Sequence, residues 1–122
     1  MVQAISNHQS VRQWVTVCNL ADIQPNTGVC ALLNDQQVAI FRVGNSDHVY
    51  ALSNYEPFSK AYVLSRGILG DRSGIIKVAS PIYKQNFNLE TGECLDDESV
   101  KVPTFPVRVV DGQVQLGDIG SR

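Results

Sequence analysis

The chain has 122 residues, of which 43% are hydrophobic, a formal net charge of −2 and a pI near 5.5. A chain of this size forms one domain that buries roughly two-thirds of its unfolded surface, and its acidic balance argues against nucleic acid, which needs a basic stripe. No apolar run approaches the ~20 residues of a membrane span, and the start of the chain lacks the basic-then-apolar order of a secretory leader, so a soluble, cytoplasmic domain is expected.

In chain order, residues 1–12 (MVQAISNHQSVR) are polar and aperiodic and are expected to form a loose tail. Residues 13–118 form the domain, and 119–122 a short second tail. From Trp14 onward, apolar stretches alternate with turn residues every eight to twelve positions, the pattern of an all-β sandwich or barrel. WVTVCNL is the first predicted strand. GVCALL and QQVAIFRV form a predicted hairpin across Asn34-Asp35, a pair that tolerates the positive φ of a type I′ turn. That turn sets Leu33 opposite Gln36, Ala31 opposite Val38 and Val29 opposite Ile40, gathering apolar residues on one face. HVYALS follows the GNSD turn. Residues 61–69 (AYVLSRGIL) can hold a helical turn that Gly67 weakens. Near the C-terminus, FPVRVV and QVQL flank Asp111-Gly112. Val109 then faces Val114 and Val107 faces Leu116, with Arg108 and Gln115 on the other face.

Chemistry is sparse along this frame. The only two histidines are His8, in the tail, and His48, at the start of a strand, so neither is placed as a shared metal ligand or a triad base. Cys18, Cys30 and Cys94 fit no metal-ligand spacing and read as reduced, mostly buried thiols. Gly67, Gly70 and Gly74 fit neither the dinucleotide nor the P-loop pattern, and a turn is the better reading. Glu90, Glu93, Asp96, Asp97 and Glu98 form an acidic stretch. It is read as a solvated loop, with a docking patch for a basic partner as the alternative; no calcium motif is present. No catalytic residue, and no direct small-molecule substrate, is expected in this chain.

Two segments carry a resemblance: ALSNYEPFSKAYVLSRG (51–67) and IIKVASPIYKQNFNLETGECLDD (75–97). They resemble the two cluster-binding loops of Rieske [2Fe–2S] domains, which carry Cys-x-His and Cys-Pro-x-His-Gly followed by an apolar strand and a Thr-Gly turn. Here the loops read Glu56-Pro57-Phe58 and Ser80-Pro81-Ile82-Tyr83-Lys84, and Phe87, Leu89 and Thr91-Gly92 match the strand and turn. The resemblance implies a Rieske-like antiparallel β-sandwich or barrel whose two loops converge at one end. It also sets Glu56 and Ser80 at the thiolate positions, and Phe58 and Tyr83 at the imidazole positions. Phenylalanine has no donor atom, and hard oxygen groups suit an iron–sulfur site poorly. No metal or cofactor is therefore expected in this chain.

That degenerate pattern, with DIQPNTGVCALLNDQQVAIFR and the closing hairpin, is similar to the family of small subunits of bacterial NADH-dependent nitrite reductases, from about Trp14 to Leu116. The resemblance implies a non-catalytic subunit required for reduction of nitrite to ammonium in nitrate assimilation. Its partner would be a large catalytic subunit carrying the NADH site, FAD, sirohaem and a [4Fe–4S] cluster. The expected partner-binding residues are Tyr55, Phe58, Lys60, Tyr83 and Lys84, aromatics ringed by charge at the loop tip. Phe58 and Tyr83 can instead point inward and fill the volume of the missing cluster. The alternative function is a cluster-less adaptor or regulatory module for another redox enzyme. A free-standing electron carrier is disfavoured by the four lost ligands.

Overall fold

In the computed structural model, which describes residues 11–119, the chain runs through strands β1 (Gln13–Asn19), β2 (Thr27–Leu33), β3 (Gln36–Arg42), β4 (Val49–Ser53), β5 (Tyr55–Glu56), β6 (Ala61–Tyr62), β7 (Ile68–Arg72), β8 (Ile75–Ala79), β9 (Asn86–Asn88), β10 (Val107–Val110) and β11 (Gln113–Asp118). The tail positions 1–10 and 120–122 lie outside the described residues. The strands form antiparallel sheets ordered β1-β11-β10, β2-β3-β4 and β7-β8-β9, plus the short pair β5-β6. The all-β antiparallel architecture expected from the sequence is the one observed.

Turn chemistry accounts for two of the hairpins. Asn34 and Asp35 take φ of 50° and 66°, and the β2–β3 register pairs Leu33 with Gln36, Ala31 with Val38 and Val29 with Ile40. Asp111 and Gly112, at φ of 51° and 77°, close β10–β11, which pairs Val109 with Val114 and Val107 with Leu116. On the outer face of that hairpin, Arg108 Nε donates to Gln115 Oε1 at 2.7 Å, and its guanidinium lies 4.2 Å over the Trp14 ring.

The apolar run Val38–Ala39–Ile40–Phe41 is buried along its whole length because β3 separates two cores. Val38 and Ile40 join Ile23, Leu33, Ala51, Phe105, Val114 and Leu116 on the side of the β1-β11-β10 sheet. Ala39 and Phe41 join Leu52, Leu64, Val78, Phe87, Leu89, Cys94 and Val102 on the other side. The second core is the floor beneath the two loops.

Between β4 and β9 the structure both agrees with and departs from the sequence reading. The helical turn expected in 61–69 is a single 3₁₀ turn, Leu64–Arg66, closed by the Gly67 N–H on the Leu64 carbonyl at 2.9 Å. Gly67 is required there, since a Cβ would stand 2.4 Å from the Ala79 carbonyl oxygen. The glycine-rich segment read as one turn is instead a hairpin: Gly70 lies within β7, and only Ser73-Gly74 forms the turn. Thr91-Gly92 turns as expected. Gly92 has φ of 79°, and a Cβ there would meet the Val102 carbonyl oxygen at 2.0 Å.

The cysteines correct one expectation. All three are free, but only Cys94 is buried; Cys18 is half-buried and Cys30 is exposed. Cys30 pairs with the buried Ala39, yet it sits on β2, the outer strand of its sheet, where cover is incomplete. Partial burial still pushes both Cys18 and Cys30 thiols up from their usual pKa, with Asp22 adding to the effect at Cys18.

Candidate functional site

The loops 54–60 and 80–86 meet, and two buried side chains join them. Glu56 and Ser80 are both fully buried, and Ser80 Oγ donates to Glu56 Oε1 at 2.7 Å. Glu56 Oε2 accepts from the Phe58 backbone N–H and from the Ser59 N–H at 3.2 Å. Both carboxylate oxygens are thus occupied by donors from the protein, which is what allows an acceptor-only group to sit in a dry interior. Ser80 Oγ also accepts the Ile82 N–H at 3.3 Å.

Each proline fixes the second position of its turn, and each turn closes with the fifth residue's N–H on the first residue's carbonyl. Lys60 N donates to the Glu56 carbonyl at 2.8 Å, and Lys84 N to the Ser80 carbonyl at 3.1 Å. Below them Asn54, 2% exposed, acts as a hub. Its Nδ2 donates to Gln37 Oε1 at 3.0 Å and to the Tyr62 carbonyl at 3.1 Å, and its Oδ1 accepts the Ser65 N–H at 2.7 Å. One buried amide therefore anchors the first loop to β3 and to the 3₁₀ turn.

The aromatic residues divide. Phe58 turns inward, half-buried, with its ring 6.2 Å from that of Phe87 on the second core. Tyr83 points outward and is 59% exposed. Tyr55 is exposed and stacks edge-on against Tyr62 at 5.2 Å. Tyr62 and Ile82, which the sequence reading did not single out, are exposed alongside them. Tyr62 was hidden in a segment read as partly helical. Lys60 and Lys84 are exposed, and Lys84 Nζ lies 3.3 Å from the Pro81 carbonyl. Among the described residues, the buried side-chain oxygens without a hydrogen-bond partner are Ser59 Oγ, Gln85 Oε1 and Asn86 Oδ1. All three belong to the two loops or their immediate continuation.

The residues at the four ligand positions do not fit a [2Fe–2S] centre. Glu56 and Ser80 spend their oxygens on each other and on backbone N–H groups. Phe58 has no donor atom, and Tyr83 faces solvent. Among the described residues no three His, Cys, Asp or Glu side chains converge. The acidic stretch is exposed, but parts of it are tied down. Asp96 accepts the Asn86 N–H at 2.8 Å and pairs with Arg72 at 3.0 Å. The Asn86 backbone N–H foremost, with Arg72 and the Asn86 side chain, holds its carboxyl below the usual range. The Ser99 hydroxyl and N–H do the same for Asp97. His48 is exposed on the turn before β4, and no helix among the described residues is long and apolar enough to cross a membrane.

Comparison with known proteins places this geometry in context. Residues 13–117 match the model of the Rieske-like [2Fe-2S] domain family. The chain is 52% identical over 104 residues to the nitrite reductase (NADH) small subunit of Escherichia coli K12, covering 85% of this chain and 96% of that one. The NMR structure of the Escherichia coli protein NirD superposes with a TM-score of 0.82 at 51% identity, covering 89% of this chain and 98% of that one. A nitrite reductase [NAD(P)H] large subunit from Klebsiella oxytoca is 45% identical over 107 residues, covering 88% of this chain but 11% of that polypeptide.

Proposed function

The chain belongs to the Rieske-like [2Fe–2S] domain family, and within it to the nitrite reductase (NADH) small subunits; on that premise we propose that it docks, through its loop tip, onto a large catalytic subunit and carries no redox group of its own. The single observation that supports this most is the Glu56–Ser80 closure. It keeps both cluster loops folded and joined while using up the atoms at the thiolate positions. What the loops then present is an outward surface of Tyr55, Tyr62, Ile82 and Tyr83, flanked by Lys60 and Lys84. Exposed aromatics bordered by charge have the composition of protein–protein contacts.

The Klebsiella large subunit adds a second line of support. It contains a domain similar to this chain within one long polypeptide, an arrangement that keeps such a domain beside the catalytic machinery. In the resulting enzyme the NADH site, FAD, sirohaem and [4Fe–4S] cluster belong to the large subunit, and nitrite is reduced to ammonium there, in the cytoplasm. The small subunit contributes a shaped contact and no reacting group.

The test replaces Tyr83, and separately Tyr55, with alanine in the full chain. Each variant is assayed for its melting curve, then for large-subunit binding and NADH-driven nitrite reduction. Both side chains are exposed, so native-like melting is expected. Affinity should fall by about 2 kcal/mol for an anchor of this kind, roughly 30-fold. Variants that fold, bind and sustain full turnover would overturn the tip as the interface.

A further inference from the structure

The two loops are copies of one turn. Glu56-Pro57-Phe58-Ser59-Lys60 and Ser80-Pro81-Ile82-Tyr83-Lys84 each begin with a buried acceptor side chain that takes the N–H of the third residue. Each closes on the N–H of a lysine. The first residues are tied to each other at 2.7 Å, so both lysine backbones hang from one buried pair. Both lysines are left-handed, with φ of 58° at Lys60 and 67° at Lys84. Glycine adopts that region freely and asparagine with little penalty, whereas lysine does so at a cost. Strained backbone of this kind, kept twice at equivalent points, motivates a functional reading of the side chain that imposes it.

The charge balance supports the same reading. Among the described residues, neither Lys60 nor Lys84 meets a carboxylate; the ion pair present is Arg72–Asp96. The one carboxylate within the two turns, Glu56, is buried and saturated by three donors. Beyond the two turns, Asp96 hydrogen-bonds Asn86 at the end of the second loop and is itself paired with Arg72. The exposed charges of the two turns themselves, Lys60 and Lys84, are thus both positive, although the chain as a whole is acidic. The second turn also exposes apolar surface, with Ile82 46% exposed and Tyr83 59% exposed.

We propose that Lys60 and Lys84 are a two-pronged clamp for an acidic surface on the catalytic subunit, held in orientation by the twin turns. The proposal rests on the tip being the docking face and specifies the chemistry of the partner surface. Positive prongs on a rigid base steer encounter and fix register, while the exposed aromatics of the loops supply the buried contact.

The left-handed φ provides the test, because glycine removes the charge while relieving the backbone. Lys60→Gly, Lys84→Gly and the double variant are compared with Lys60→Asn/Lys84→Asn and with Lys84→Glu. Each is measured for melting temperature and for association rate with the large catalytic subunit at low and physiological salt. The glycine variants should melt at or above the native temperature, yet associate about 3- to 10-fold more slowly per lysine at low salt, with a flatter salt dependence. The asparagine variant should match them, and Lys84→Glu should be slower still. A double variant that associates at the native rate with the native salt dependence would overturn the clamp. If Tyr83→Ala still weakens binding in that case, the tip remains the interface and only the clamp fails; if it does not, both readings fail. A marked loss of melting temperature in the glycine variants would also overturn the proposal, since the lysines would then serve the fold.

Discussion

At the scale of single residues, the loops are organised by Glu56 and Ser80, which occupy the thiolate positions of a Rieske domain. A carboxylate reaches farther than a thiolate and accepts several hydrogen bonds, so it bridges a gap that sulfur would fill through iron. Glu56→Gln keeps the size and one acceptor oxygen. It also sets an NH2 group against the Phe58 and Ser59 N–H donors or against the Ser80 hydroxyl. The expected loss is about 2–3 kcal/mol, the range for stranding buried polar groups, and Ser80→Ala should lose about 1–2 kcal/mol by freeing one carboxylate oxygen. Urea midpoints check both, and a double-mutant cycle should return a coupling of about 1 kcal/mol or more; additive losses would mean the bond contributes little. The sequence made these two positions legible as lost ligands. It could not reveal their bond, because the residues lie 24 apart in the chain. Likewise, Phe58 and Tyr83 look alike in sequence, and only the packing of Phe58 on Phe87 separates an inward ring from an outward one.

At the scale of elements, legibility follows the strength of local signals. The β2–β3 and β10–β11 hairpins were readable to their registers because a turn pair sits between alternating apolar residues, and a one-residue slip would expose the apolar set. The β7–β8 hairpin was not. Ile68–Arg72 contains a glycine and two charged residues, and its outer face is solvated, so its alternation is weak. The 3₁₀ turn was half legible, since helical pattern and Gly67 both stand in the sequence but the close approach of the Ala79 carbonyl does not. The edge position of β2, and with it the exposure of Cys30, depends on sheet order, which alternation cannot supply. The hairpin chemistry makes its own prediction. Asp35 has φ of 66° in the two-residue turn, and Asp35→Gly creates the Asn-Gly pair preferred by a type I′ turn. Stability should rise by about 0.5–1 kcal/mol, the left-handed penalty less the added chain entropy of glycine. A urea midpoint that stays level or falls would show that Asp35 makes a compensating interaction.

At the scale of the whole molecule, the decisive strand is β3, because its alternate side chains belong to different cores. Val38 and Ile40 face the β1-β11-β10 sheet; Ala39 and Phe41 face the core that supports the loops. The two cores share a backbone, so neither can open without disturbing the other, and unfolding should be a single cooperative transition. The chain carries probes on both sides. Trp14, the one tryptophan, lies on β1 under Arg108, whereas the four tyrosines lie on β4 or on the loop elements. Tryptophan fluorescence and tyrosine near-ultraviolet dichroism should therefore trace the same urea curve. Phe41→Ala empties a fully buried site in the loop-side core only. Its expected loss is about 3–5 kcal/mol, a large share of the ~5–15 kcal/mol that holds a domain. If β3 couples the cores, that loss lowers the Trp14 midpoint by as much as the tyrosine midpoint, although Trp14 belongs to the other sheet. A tyrosine transition that moves to lower urea while the Trp14 transition stays in place would show that the loop-bearing half unfolds on its own. The loop tip would then be a separable unit, no longer held by the β-sheet scaffold beneath it.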